Sequence, residues 1–596
     1  MFDEPKPILM KKVVFLLCIS IFFACDAEKE KTTITHDFTT IFEKSGGTQT
    51  PTYPEVIQYY ENLAESYSEI HLESIGLTDS GKPLHLVTYN PSGNFDFENI
   101  RKEKTILLVN NGIHPGESDG IDATMMLLRD LANGTKKAPK NIVISAIPVY
   151  NVGGSLNRNF GTRANQNGPE AYGFRGNAKN YDLNRDFIKS DTRNAKAFAQ
   201  IFHKVQPDVF VDNHVSNGAD YQYTLTHLFT QHNKLGHEAG EFLHKTMMPD
   251  LEATLQKNSW DITPYVNVFG RTPESGFSQF MDSPRYSTGY TTLFNTLGLM
   301  VETHMLKPYK QRVEGTYALM EALIENIETK HHQNIKSIRK KTHESFVNTE
   351  TYPVQWELDR SQETTLNFKG YEGTFVKSDL TGQKRLKYDD TKPFTKEVPY
   401  YNYFKIKKEV TVPKAYVIPQ GWHNVIDLLT LNNVVLNTIE NDTIIDVETY
   451  HIKDFKTYPN PFEGHYTHYN TEVSKTLQKI SFNKGDFIVK TNQPAFRYLL
   501  ETLEPEAVDS FFNWNFFDTI LQQKEGFSAY VFEDEAKELL ANNPQWQQEF
   551  EAKKASDDMF AKSASQQLRW IYKKSHHYEK AHLRYPIFRI VRSLDR

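Results

Sequence analysis

The first regular pattern of apolar positions is Ile57, Tyr60, Leu63 and Ala64, which recur at the spacing of one helix face just after Pro54. Two strands are expected next, over residues 70–75 and 84–89, on either side of the turn Asp79-Ser80-Gly81. From Lys104 the pattern changes to short, mostly apolar runs at 105–110, 141–150, 207–212 and 298–302, with helical stretches near 119–131 and 191–203. Strands apolar on both faces need cover on both faces, and their alternation with helices predicts an α/β fold: a mixed, largely parallel sheet flanked by helices. Ligand sites on such sheets lie beyond the carboxyl ends of the strands.

Past the basic stretch 336–341 the rhythm differs. Strand patterns at 351–356, 365–368, 403–412 and 444–450 are separated by Gly, Pro, Asn and Asp, mostly without crossover helices. This predicts a β-rich accessory domain over 345–490. From Phe496 helical patterns dominate, including 534–540 and a long one over 545–571, so 491–596 is expected to be mainly helical. With 596 residues the chain exceeds what one hydrophobic core usually supports, which agrees with several domains.

The N-terminus is of another kind. Lys11 and Lys12, directly after Met10 as the expected start, precede an apolar run over 13–23, in the order of a secretory signal and too short to span a bilayer comfortably. The run ends in Phe22-Phe23-Ala24-Cys25 and is followed by polar residues, which resembles the lipobox of bacterial lipoproteins. The expectation is a signal segment over 1–25, lipidation at Cys25, a polar tether over 26–53, and an exported protein anchored in the periplasm or at the surface of a bacterium. The two cysteines, Cys18 and Cys25, both lie in this segment, so the mature chain has no thiolate for catalysis or metal binding. A net charge of -7 and only short, local Lys/Arg clusters argue against nucleic acid as a partner. Any metal must be held by His, Asp or Glu.

Such a set is present. Asn110-Asn111-Gly112-Ile113-His114-Pro115-Gly116-Glu117 follows a buried strand and precedes a helix, so His114 and Glu117 can converge on one ion from a strand-end loop. The same spacing recurs at His576 and Glu579, where a solvated helix face is the simpler reading. A third ligand is offered by His214, just past another buried strand, with Asp212 placed to orient it. Two His and one Glu leave an open position for water on a catalytic zinc ion. A separate carboxylate must then take a proton from that water, and Glu302, at the end of the apolar run 298–302, is the candidate general base and acid.

Between these ligands lies Phe174-Arg175-Gly176-Asn177-Ala178-Lys179-Asn180-Tyr181-Asp182-Leu183-Asn184-Arg185-Asp186-Phe187. In order, identity and separation, this segment with His114-Pro115-Gly116-Glu117 before it and His214 and Glu302 after it resembles the M14 family of zinc carboxypeptidases. The resemblance covers about residues 53–332 and implies a catalytic domain over 54–335 that holds one Zn2+ and removes the C-terminal residue of peptides. It implies that Asn184 and Arg185 bind the substrate's free carboxylate, a task suited to a planar guanidinium, and that Arg175 polarises the scissile carbonyl. Arg158 and Arg163 lie near enough to compete for the last role. The family's tyrosine that closes over the substrate has two candidates, Tyr290 and Tyr286, with Tyr290 preferred.

Three alternatives stay open. Gly116-Glu117-Ser118-Asp119-Gly120 matches the serine-hydrolase elbow, although Pro115 separates it from the preceding strand. A related zinc site can hydrolyse amides of peptidoglycan stem peptides. A retired scaffold can bind peptides or glycans without turning them over.

Overall fold

The computed structural model describes residues 36–591; the expected signal segment and Cys25 lie outside the described residues. The first sheet contains β1 (Ile70–Leu77), β2 (Pro83–Tyr89), β3 (Thr105–Asn110), β4 (Ile142–Ile147), β5 (Val209–Val215), β6 (Leu225–Phe229) and β7 (Ile262–Pro264). After a two-residue strand β8 (Phe277–Ser278) that belongs elsewhere, β9 (Leu297–Thr303) completes it. The spatial order is β1-β2-β4-β3-β5-β9-β6-β7. Its middle, β4-β3-β5-β9, is parallel throughout, while β1, β2 and the β6–β9 pairing are antiparallel. β3, β4 and β5 are buried at every position, as strands covered on both faces must be. Helices Asp119–Ala132, Arg193–Val205 and Tyr309–Asn326 supply the cover.

The register of the parallel strands builds the site. Asn110 stands opposite Asp212, and His214 opposite Glu302, so the ends of β3, β5 and β9 bring the metal-ligand candidates and the acid–base candidate to one edge.

The stretch before Tyr53 is not a free tether from Phe38 onward. Phe42 is buried, and Thr50 donates a hydrogen bond to the buried Asp122 at 2.7 Å. The helix Tyr53–Ser66 then starts from a capping box formed by Thr52 and Glu55.

Beyond the helix His332–Val347 come β10 (Thr351–Leu358), β11 (Thr364–Lys377), β12 (Lys384–Tyr401), β13 (Phe404–Thr411), β14 (Ala415–Ile418), β15 (Asn437–Thr438), β16 (Thr443–Thr457), β17 (His468–Phe482) and β18 (Phe487–Lys490). β10 pairs with β13, and the long β11–β12 hairpin takes up β8 from the first half. A second, wholly antiparallel sheet has the order β15-β18-β14-β19-β16-β17. Its β19 (Phe588–Ile590) comes from the far end of the described chain, so the C-terminal region is not separable from the β-rich one. The helix expected over 545–571 is three helices, because Asp557 and Ser563 each accept a backbone N–H of the following turn and start a new helix.

One hydrophobic core runs from Phe42 to Ile587 through both halves. Buried Arg497 seals their contact, donating to the carbonyls of Lys234 and Leu235 and to Asn295 while lying 4.2 Å from the centre of the Phe346 ring. Among the described residues no helix is long and apolar enough to cross a membrane.

Candidate active site

The loop after β3 folds tightly because its small residues allow it. Gly112 has φ of +64°, a conformation that costs other residues energy. A Cβ on Gly120 would lie 2.4 Å from the Cβ of Asn213, so only glycine lets the helix Asp119–Ala132 approach β5 just before His214. That packing, not nucleophile chemistry, accounts for the Gly-x-Ser-x-Gly sequence. Ser118 itself is buried and 3.0 Å from the hydroxyl of Tyr309.

His114, Glu117 and His214 are buried and their ligand atoms lie within 4.8 Å of one another. The two imidazoles are arranged alike. Each turns Nδ1 toward Glu117, at 3.2 Å, and Nε2 toward a carboxylate at 2.9 Å, Asp182 for His114 and Asp212 for His214. A carboxylate on Nε2 fixes the proton there and leaves Nδ1 as the free donor to a metal. The Nδ1 of His114 is buried without a hydrogen-bond partner, the state expected of an atom whose partner is an ion. Two imidazoles and one carboxylate are a zinc donor set.

The charges around this set suit a cation site. Although burial opposes its ionisation, His114 and Arg163 hold the Glu117 carboxyl well below its ordinary range. The same conflict at Asp182 is won by His114, with Arg175 helping. Glu302 behaves in the opposite way. Desolvation pushes it up to about 7, with Glu117 and Asp212 adding to the shift while His214 and Arg175 oppose it. A carboxyl poised near neutrality between two negative neighbours is suited to accepting and returning a proton.

The cleft over this set has a volume of about 410 Å3. Arg175, Asn184, Arg185, Tyr286 and Glu302 line it together with the three ligand candidates. Arg175 reaches Asp182 with Nη2 at 2.9 Å. The Arg185 guanidinium carbon lies over the Tyr286 ring, 4.4 Å from its centre. Asn184 accepts the backbone N–H of Ser287 at 3.2 Å, which ties the 182–185 turn to the segment carrying Tyr286.

One expected residue is elsewhere. Tyr290 is buried among Phe187, Phe198, Phe202 and Phe294 in the core, and its hydroxyl donates to Asn432. It sits in the helix Ser287–Thr292, which turns it inward, whereas Tyr286 precedes that helix and faces the cleft. Arg158 is also away from the cleft, donating to the carbonyls of Thr50 and Pro51. Arg163 stands behind the site, 2.8 Å from Glu117.

Residues without an assigned role in the sequence also matter. Asp182 was visible as the acidic residue two positions before Asn184. Met300 was visible through the period of a strand, since it stands two residues before Glu302 and so shares its face. Leu228, opposite Met300 in the pairing of β6 with β9, and Phe280 complete an apolar floor to the cleft. Leu228 and Phe280 carried no sequence signal.

Residues 56–220 match the family model of zinc carboxypeptidases, peptidase family M14. Carboxypeptidase 2 of Trichophyton rubrum is 23% identical over 501 residues, covering 78% of this chain and 84% of that protein. Carboxypeptidase 2 of Trichophyton tonsurans is 22% identical over 497 residues, with the same shares. These alignments run beyond the α/β half into the C-terminal one. Among solved structures, carboxypeptidase A of Helicoverpa armigera superposes with a TM-score of 0.37 at 13% identity, covering 47% of this chain and 74% of that one. With its His114–Glu117–His214 triad and its likeness to zinc carboxypeptidases, this chain is a metallopeptidase, and Zn2+ is its metal.

Proposed function

We propose that the protein is a zinc-dependent carboxypeptidase that hydrolyses the last peptide bond of its substrates. One observation carries this reading: three candidate metal ligands, the Glu302 carboxyl and a partly buried arginine over a tyrosine ring share one cleft. When bound by His114, Glu117 and His214, zinc supplies an acidified water and polarises a carbonyl. Arg185, held over the Tyr286 ring, and Asn184 take the free carboxylate of the peptide and so select its end. Arg175 donates to the scissile carbonyl oxygen as negative charge develops there. Glu302 accepts the proton of the attacking water and delivers it to the departing amine. Tyr286, not Tyr290, is the tyrosine that lies against the substrate.

The departing side chain enters the apolar floor of Leu228, Phe280 and Met300. The order of residues 11–25 supports export and a lipid anchor at Cys25, on the cell envelope of a bacterium. A peptidoglycan stem-peptide amide hydrolase would use the same zinc ligands and is separated by its substrate.

The test is mass analysis of a peptide mixture and of stem peptides after incubation with the full-length protein, before and after chelation and zinc return. Loss of single C-terminal residues that stops on chelation and resumes with zinc is expected. Internal cleavage, or activity indifferent to the chelator, contradicts the proposal.

A further inference from the structure

The tip of the β16–β17 hairpin, in the C-terminal half, reaches the catalytic turn. Phe462 and His465 exchange both backbone hydrogen bonds, at 2.8 and 3.0 Å, around Glu463 and Gly464. Glu463 has φ of +49° and Gly464 of +80°, so this is a two-residue turn with both central residues left-handed. Such turns favour Asn, Asp or Gly. A glutamate in the first central position is strained.

Its side chain gives the reason. A carboxylate oxygen of Glu463 accepts the backbone N–H of Asp182 at 2.9 Å. Gly464 packs on the neighbouring residue so closely that a Cβ there would lie 2.7 Å from the hydroxyl of Tyr181. His465 continues the contact, 2.8 Å from Asp191. Asp182 is the branch point of the site: one oxygen meets Nε2 of His114 and the N–H of Asn184, and the other receives Arg175. A shift of its backbone therefore moves a zinc ligand, the carbonyl-binding arginine and the start of the carboxylate-binding turn together.

We infer that Glu463 is a positioning residue: through the Asp182 N–H it sets the orientation of His114 and Arg175, making the C-terminal half part of the metal site's construction. The catalytic half of the claim rests on the carboxypeptidase reading; the zinc half does not. A partner one bond behind a metal-ligating histidine is worth about 10- to 100-fold in metal affinity or activity, and Glu463 acts one step further back.

The test compares the full-length wild type with Glu463→Gly and Glu463→Gln. Zinc affinity is read by competition with a chromophoric chelator, kcat and KM on a peptide substrate, and Tm on the metal-free protein. Glycine relieves the left-handed strain but loses the acceptor. It is expected to bind zinc about tenfold more weakly, to lose kcat and to raise KM as the carboxylate-binding turn shifts, while Tm stays within about 3 °C of wild type. Glutamine keeps an acceptor oxygen and should retain wild-type zinc affinity and kcat. The inference is overturned by wild-type zinc affinity in Glu463→Gly, by Glu463→Gln falling as far, or by a glycine variant that loses its fold or melts much earlier. Should the wild type bind zinc yet release no residue from any peptide, the carboxypeptidase reading falls while the zinc comparison still decides this one.

Discussion

The side-chain pocket makes a quantitative demand on substrate choice. Leu228 and Met300 are both 4% exposed, and with Phe280 they form the floor of the cleft. The acidic residues lining it are Glu117 and Glu302, which the proposed mechanism assigns to the metal and to proton transfer. A departing leucine buries three methylene equivalents more than alanine. At about 0.8 kcal/mol each this is about 2.4 kcal/mol, or roughly 60-fold in kcat/KM. A departing lysine gains its stem but leaves an ammonium without a partner, which costs more than the stem returns. Peptides identical except for a final Leu, Phe, Ala, Lys or Glu, assayed for kcat/KM, should rank Leu and Phe first, Ala about 60-fold lower, and Lys and Glu lowest. Leu228→Asp should invert the Leu-to-Lys ratio, whatever it does to the absolute rate. Wild-type protein that releases lysine as fast as leucine refutes this account of the floor.

Other expectations separate stability from chemistry. Tyr290→Phe removes a buried hydroxyl from Asn432 and should cost about 1–3 kcal/mol in denaturant unfolding while kcat/KM stays within a factor of two; a large activity loss at unchanged stability would return Tyr290 to the site. Tyr286→Ala should leave stability nearly intact and raise KM by releasing Arg185 from its stacked position; unchanged KM would remove Tyr286 from the site. Burial holds Asp122 up to about 7 against an ordinary 3.8, with Tyr309 and Thr50 opposing. The folded state thus keeps a proton that the unfolded chain gives up from about pH 4, and the contribution of Asp122 to wild-type stability falls as pH rises toward 7, by up to about 1.4 kcal/mol per unit. Asp122→Asn removes that slope, so its stability relative to wild type should climb between pH 4 and 7 and level off above; a constant difference contradicts the assignment.

The sheet was legible because the centres of its strands, 106–109 and 209–211, are apolar at every position, as strands covered on both faces must be. The candidate metal ligands were legible because they sit at the ends of those runs, where a parallel sheet gathers its sites. Tyr290 was misassigned because two tyrosines four residues apart look equivalent in a Gly- and Pro-containing loop. Only the short helix Ser287–Thr292 decides which faces the core. Leu228 reaches the floor through an antiparallel pairing to β9, and nothing in its own neighbourhood marks it. Glu463 is 281 residues from Asp182. Its role depends on how two halves of the chain pack, and pattern along the sequence does not encode that.

The most direct measurement is zinc content beside activity in three proteins: wild type, His114→Ala and Glu302→Gln. The account predicts one zinc per chain in the wild type and in Glu302→Gln, with kcat of the latter lowered about 10²- to 10⁴-fold, and little zinc or activity in His114→Ala. Full zinc occupancy in His114→Ala, or near-wild-type turnover by Glu302→Gln, would contradict it.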